Sequence, residues 1–320
     1  MSIEKVKQVA AHAAGRLMPA LANVIIYQTA NGNRAQAGDG RYWIDGPTDM
    51  PCMQVNAEKF LVSLNACNTE PNVSIGEHYI TMSAGRIRTR LKRCDDEYPR
   101  VGPVPVADFH HSQLTEVLTK LIPYVATDAS RPWATSICFS GDHAYATNNV
   151  VIARVPLTSH VPIPVNIPGG VVDAILKVGE ITAVGINANS VTFYYGDGTW
   201  IRSGLIDGTW PTATADKLLD GNELHDWQPV HAEVGTLIAT AEKVSAEKLP
   251  VIQFLEDGFK LVDEMFEAND LPVLPDTGRC IASVAALVLG RAKQVAWHTP
   301  KTDVHSFRDG DLVGVFGGSR

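Results

Sequence analysis

An α+β fold made of one module used three times is what this sequence predicts, and three observations predict it. Gly196–Pro211 (GDGTWIRSGLIDGTWP) has an echo in Ser83–Pro99: a glycine turn, an Ile-Arg strand, a leucine, an acid and an aromatic-proline stop recur in the same order. Amphipathic helical spacing and short alternating strands follow one another as helix, strands, helix, strands, three times along the chain. Asn-Gly and Asp-Gly pairs (Asn31-Gly32, then Asp39, Asp197, Asp207, Asp257 and Asp309 with their glycines) fall at strand ends, where hairpin turns need them. The repeated order divides the chain at 1–103, 104–222 and 223–320. Each segment is expected to pack two helices on antiparallel sheets.

In the first segment Ile3–Ala14 has Ile3, Val6, Val9, Ala10, Ala13 and Ala14 at helical spacing behind Ser2 as N-cap. Asn23–Thr29 is a strand, Asn31-Gly32 turns into a second, and Gly38-Asp39-Gly40 turns into Arg41–Ile44. Asn56–Ala66 returns to helix on Phe60, Leu61 and Leu64; Val73–Ile75, Tyr79–Met82 and Arg86–Leu91 are short strands. After the Pro103–Pro105 linker the second segment opens with a helix over Ser112–Val125. A hairpin of Ala134–Phe139 and His143–Thr147 around Gly141-Asp142 follows, then strand Val150–Val155 and helix Gly169–Val178. Strands Ile181–Ile186, Val191–Tyr195 and Thr199–Leu205 run to the Trp210-Pro211 stop. The third segment is looser: helix Val230–Lys248, a hairpin around Glu256-Asp257-Gly258, breaks at Pro272 and Pro275, helix Ser283–Ala292, and a closing hairpin of Val304–Phe307 with Leu312–Phe316.

Composition excludes several function classes. At 320 residues, 45% hydrophobic and 19% charged, the chain has material for sizeable cores. No apolar run approaches the ~18–20 residues that span a bilayer, and Met1–Lys5 has no signal-peptide core, so a cytoplasmic location is expected. The five cysteines are scattered without metal-ligand spacing, which reads as reduced, packed thiols. A net charge of −8 argues against a basic coat over the whole surface, though not against positive charge gathered on one face. Catalytic readings fail: Asp95-Asp96-Glu97 lies on a linker, His110-His111 has no ligand at metal spacing, and no GxGxxG, GxxxxGK[ST] or GxSxG motif occurs. No enzyme activity, metal or cofactor is expected.

Several stretches resemble the bacterial DNA polymerase III β subunit, the sliding clamp. Gly15–Val24 is similar to that family's join between first helix and first strand, and Val55–Leu61 to the start of its second helix. Ser83–Arg88 is similar to its first-domain "sGrsr" strand, Ala146–Ala153 to its "ATDghRLA" segment, and Leu205–Pro211 to its "LiDG-fPdy" segment. The likeness covers the first two thirds; the last third shares only the order of elements.

This resemblance implies a head-to-tail dimeric ring of six domains, with helices inside and sheets outside, encircling double-stranded DNA without reading its sequence. It implies a processivity factor with the replicative polymerase, the clamp loader and a second copy of itself as partners, and no membrane. The DNA-binding residues are then Lys5, Lys7, Arg16, Lys59, Arg86, Arg88, Lys120, Lys177, Lys243, Lys248, Arg291 and Lys293. All but Arg86 and Arg88 fall on or beside the expected inner helices, where acids are fewer. The family's peptide pocket maps onto Ala134, Thr147, Asn149, Val150, Val151, Ile152 and Pro211, faced by Val313, Val315 and Phe316. Two departures touch it: Asn149-Val150-Val151 stands where the family has Gly-His-Arg, and the chain reads Phe316–Arg320 where the family has a Met-Pro tail. They suggest a divergent clamp, of the kind a virus or mobile element would carry. The alternative reading is a β-rich repeated-domain assembly protein of a viral particle.

Overall fold

The computed structural model describes residues 3–67, 69–106, 113–220, 226–231, 233–255, 258–262, 266–268, 271, 279–297 and 304–317. The first run is α1 (Ile3–Ala10), β1 (Asn23–Thr29), β2 (Gly32–Gly38), β3 (Tyr42–Thr48), β4 (Met53–Asn56), α2 (Ala57–Ala66), β5 (Asn72–Ile75), β6 (Tyr79–Ala84) and β7 (Ile87–Lys92). The second is α3 (Leu114–Leu121), β8 (Ser136–Thr147), β9 (Val151–Pro168), α4 (Gly169–Val178), β10 (Ile181–Ile186), β11 (Ser190–Tyr195) and β12 (Trp200–Gly204). After α5 (Thr212–Asp220) and β13 (Gln228–Pro229) comes the third. It comprises α6 (Val234–Val244), β14 (Val251–Leu255), β15 (Gly258–Leu261), β16 (Glu267–Ala268), β17 (Arg279–Ile281), α7 (Ala282–Leu289), β18 (Gln294–Ala296), β19 (Val304–Asp309) and β20 (Leu312–Gly317). The class is α+β with antiparallel sheets, and helix, strands, helix, strands recurs three times, as the sequence predicts.

By packing, the chain forms two compact units. The first comprises Met1–Thr115 and Gly170–Leu205. It holds a seven-stranded sheet, β10-β11-β12-β3-β2-β1-β4, and a three-stranded sheet, β5-β6-β7. Helix α1 buries Val6, Val9 and Ala10 and stops there, short of the expected Ala14. The reason is competition for amides: His12 N–H turns back to Val9 O (3.1 Å), and Ala14 N–H leaves for Gly38 O at the end of β2 (3.1 Å). Ser2, expected as its cap, lies outside the described residues. Asn56 caps α2, its Oδ1 accepting the Lys59 amide at 3.2 Å.

Inside the large sheet the Asp45 carboxylate is fully buried. It accepts from Arg34 Nε (2.5 Å), Tyr27 OH (2.7 Å) and Gln36 Nε2 (3.0 Å). Gln36 also clasps the Val101 backbone from both sides, at 2.8 and 3.0 Å, and Arg34 reaches Gly198 O at 2.8 Å. Three hydrogen bonds satisfy a group that would otherwise be costly to bury.

The second unit comprises Glu116–Gly169 and Ile206–Arg320. It holds a six-stranded sheet, β13-β18-β19-β20-β9-β8, and a four-stranded one, β16-β15-β14-β17. The expected hairpin around Gly141-Asp142 is a correction. Residues 136–147 form one strand paired along its length with β9, its register shifting on either side of Gly141. Gly141 (φ +59°) absorbs the bulge. The chain reverses instead at Asn148–Val150, where Asn149 takes φ +74° and Asn148 Oδ1 accepts the Val150 and Val151 amides at 3.1 and 2.8 Å. Strand β9 consequently runs to Pro168, far past the expected Val155. It carries prolines at 156, 162, 164 and 168.

Helix lengths were overestimated in the same unit. Past Leu121 the expected helix becomes a 3-10 turn, Ile122–Tyr124, because Pro123 has no amide to donate. The expected Val230–Lys248 helix is α6 alone: Val230 N–H bonds Lys293 O (3.0 Å), and Ser245 closes the helix on Ala241 O (3.1 Å). Helix α7 starts one residue before the expected Ser283 and stops at Leu289, where Gly290 caps it. The two helices meet backbone to backbone, since a Cβ on Gly235 would lie 2.2 Å from Gly290 Cα. Helix α5 was not anticipated. The closing hairpin turns at Gly310 (φ +63°) and Asp311, and Phe307 packs against Tyr124 and Phe316 at centroid distances of 5.5 and 6.2 Å. Glu256, Asp257, Pro272 and Pro275 lie outside the described residues.

Candidate functional site

The sequence places its candidate cations on helices, and the structure divides them. Lys5 and Lys7 stand on α1, Lys59 in the first turn of α2, Lys120 in the last turn of α3, Lys177 near the end of α4 and Lys243 near the end of α6. Arg16 is exposed beyond α1, Lys248 beyond α6, and Arg291 and Lys293 between α7 and β18; none of these four is helical. Arg86 and Arg88 lie exposed on the β6–β7 hairpin. The shortened helices retain an acid beside most lysines, namely Glu4, Glu58, Glu116, Asp173 and Glu242, so the helices alone are close to neutral.

Several of these lysines are held by a hairpin-turn aspartate. In the first unit Lys5 Nζ is 2.6 Å from Asp197 Oδ2, at the β11–β12 turn, and only 16% of its side chain is exposed. Asp197 Oδ1 accepts the Thr199 amide at 2.9 Å, which leaves Oδ2 for the lysine. Burial pushes this carboxyl up, but the bonds from Lys5 and Thr199 outweigh it and hold it below the usual range. In the second unit Lys120 bridges Glu116 (2.7 Å) and Asp311 (2.5 Å), and Lys293 pairs with Asp309 (2.8 Å). The Asp-Gly turns thus supply counter-ions besides closing hairpins.

The second unit also carries a cleft of 410 Å³ lined by Arg154, Leu219, Trp227, Ser306, Arg308, Val313 and Gly314. Strand pairing builds its floor: Val313 lies opposite Arg154, and Gly314 opposite Ala153. Arg154 is anchored by α5, with Asp216 and Asp220 one turn apart at 2.8 and 2.7 Å from its two terminal nitrogens. Tyr145 OH donates to the same Asp216 at 2.9 Å. Burial works against the charge on Arg154, but its bonds to the two aspartates more than compensate and raise its pKa. Arg308 stacks over the Trp227 ring at 4.5 Å. Leu219, Trp227 and Val313 make an apolar wall above bare glycine backbone, with two guanidinium groups beside it. Such a surface suits an apolar side chain on an extended peptide.

Of the ten pocket residues expected from sequence, Val313 lines this cleft. Ala134, Thr147, Val151, Val315 and Phe316 are buried strand and turn residues of the core, while Asn149, Val150 and Pro211 are exposed. Ile152 is half-buried against the cluster of Cys138, Tyr145, Trp210 and Ala215, with Trp133 beside it. Arg154, Leu219, Trp227, Ser306, Arg308 and Gly314 were missed. Leu219 had a signal, since Ala215, Leu218 and Leu219 are spaced as on a helix face.

Among the described residues no group of three or more His, Cys, Asp or Glu side chains is placed to hold a metal ion, and no helix is long and apolar enough to cross a membrane. No family model and no curated protein matches the sequence. Solved structures do match. A DNA polymerase sliding clamp from Bacillus subtilis superposes with TM-score 0.79 at 17% identity, over 99% of this chain and 96% of that one. The chain has the sliding-clamp fold. The clamp (DNA polymerase III subunit beta) of Bartonella birtlesii, bound to griselimycin, gives TM-score 0.83 at 15% identity over 99% and 96% of the two chains. The Helicobacter pylori beta clamp, bound to a DNA ligase peptide, gives 0.75 at 12% over 99% and 97%. The clamp fold therefore extends through the last third, where the sequence resemblance was weakest.

Proposed function

We propose that this chain is a DNA sliding clamp, a processivity factor without enzymatic activity. The observation that carries the reading is a clamp fold matched over 99% of the chain, the final third included. Segments 1–103, 104–222 and 223–320 act as three clamp domains, and two copies joined head to tail close a six-domain ring around duplex DNA. Encirclement replaces tight binding, so phosphate contacts are few and carry no base code. Lys5, Lys7, Arg16, Lys59, Lys120, Lys177, Lys243, Lys248, Arg291 and Lys293 supply them, several tempered by the neighbouring carboxylates. The replicative polymerase, the clamp loader and other replication proteins dock peptides on the second unit. An apolar anchor enters the Arg154–Trp227–Val313 cleft, and Asn149, Val150, Ile152 and Pro211 are the further peptide contacts that the family likeness implies. A polymerase tethered in this way rebinds its primer end at high effective concentration. A particle-assembly role has no observation in its favour.

The test is topological. Loaded onto nicked circular DNA the protein is expected to stay, and after the circle is cut to linear form it is expected to slide off. Equal retention on both forms would overturn the reading.

A further inference from the structure

The threefold repeat leaves one junction unmade. Strand for strand, β16-β15-β14-β17 repeats β3-β2-β1-β4, and β5-β6-β7 repeats β10-β11-β12 and β18-β19-β20. In the first unit β3 is extended by β12, with Asp45 opposite Trp200. In the second the start of β9 is extended by β20, with Val313 opposite Arg154. The counterparts in the third such junction are β16 and β7. Among the described residues β16 pairs only with β15, and β7 only with β6 apart from one bridge at Arg93 just past its end. One free edge of each kind remains, which is the geometry of head-to-tail association between copies.

Each junction within the chain also carries an ion pair between a first helix and a hairpin turn, Lys5 with Asp197 and Lys120 with Asp311. At the unmade junction the charges are reversed. The β6–β7 turn is Gly85-Arg86, with Gly85 at φ +58°, and it matches Gly310-Asp311, with Gly310 at φ +63°. Arg86 therefore occupies the place of Asp311. On the helix side Asn56 and Ile281 immediately precede α2 and α7, and they pair with Asn23 and Val251. That register makes Asn23 and Val251 equivalent. Lys5 precedes Asn23 by the same interval that Glu233 precedes Val251, and each stands one residue before a buried valine, Val6 or Val234. Glu233 therefore occupies the place of Lys5. Arg86 and Glu233 are both exposed, and neither has an ion-pair partner among the described residues.

We propose that a second copy of this chain fills the junction, with Arg86 of one copy paired to Glu233 of the partner subunit. This rests on the ring reading above and assigns Arg86 to ring closure in place of DNA contact. Reversed polarity gives the seam between copies its own code: an Arg86 turn presented to Lys5 meets like charge, so the turn is directed to α6.

Sedimentation of the full chain over a concentration series tests this. Arg86→Glu and Glu233→Arg are each expected to weaken the dimer at least tenfold, and the double reversal to restore most of the loss. Single reversals that leave dimerisation unchanged, or a double variant no better than the singles, would overturn the pairing while leaving the ring intact. A wild-type chain that stays monomeric at micromolar concentration would overturn the ring reading and the pairing with it. If Arg86→Glu kept full dimerisation but lost retention on nicked circles, Arg86 would be a phosphate contact and the pairing wrong.

Discussion

Replacing Asp45 with alanine removes a fully buried acceptor shared by three donors. Arg34 Nε and Tyr27 OH would lose their partner, and Gln36 Nε2 would keep only Val101 O. Truncating one side of a buried ion pair costs ~3–5 kcal/mol when the other charge is stranded. Arg34 is 22% exposed and keeps Gly198 O, so the lower end, about 3 kcal/mol, is expected. Urea unfolding followed by tryptophan fluorescence should show a lower midpoint at unchanged slope. Asp45→Asn, which keeps one acceptor and the side-chain volume, should cost less. It should also remove a pH dependence. Burial raises the Asp45 carboxyl, with Arg34 pulling the other way. The folded protein therefore holds that proton more tightly than the unfolded chain. This contribution is fully present below the unfolded-state pKa and is lost as pH rises through the folded-state pKa. A cost below ~1 kcal/mol for alanine would refute the claim that the network bears on stability. Equal costs for alanine and asparagine would refute the claim that the acceptor matters.

Two further outcomes follow from the geometry. Gly314→Ala places a Cβ 2.2 Å from Phe307 Cζ and 2.7 Å from Ile152 O, on the core side of β20, so it should lower the melting temperature. Overpacking of this kind costs about 1–3 kcal/mol; an unchanged melting temperature would refute the close packing of Gly314 on Phe307. Asp197→Asn keeps the Asx turn at Thr199 but weakens the hold on Lys5, freeing that charge for a phosphate. The salt dependence of equilibrium binding to linear duplex should steepen by about 0.9 in log–log slope, and an unchanged slope would place Lys5 away from DNA.

Where local pattern decides structure, the sequence was readable. Asn23–Thr29, Gly169–Val178 and Ile181–Ile186 have the expected ends, because alternation or helical spacing meets a turn or proline at each boundary. Gly141-Asp142 misled because a glycine at positive φ serves a bulge as readily as a hairpin. Only the pairing with β9 decides between them. Thr212–Asp220 was unread because it buries only Ala215 and Leu219, too few to mark an apolar face in a polar segment. The cleft was the least legible part. Arg154, Leu219, Trp227, Arg308 and Val313 come from separated elements, and sheet register, invisible in a linear sequence, brings them together. Five of the ten residues carried over by family likeness, Val315 and Phe316 among them, are buried in the core.

The prolines of β9 bear on how this protein survives synthesis and concentration. Among the described residues the strand has no partner on its outer side beyond Arg154 until Asn166 O meets the Ile206 amide (3.0 Å), and the stretch between includes Ile163, 75% exposed. A long, open, apolar strand of this kind is a template for cross-β stacking. Pro156, Pro162 and Pro164 remove the amides such stacking would recruit. The prolines therefore guard half of the longest strand among the described residues against edge-to-edge pairing.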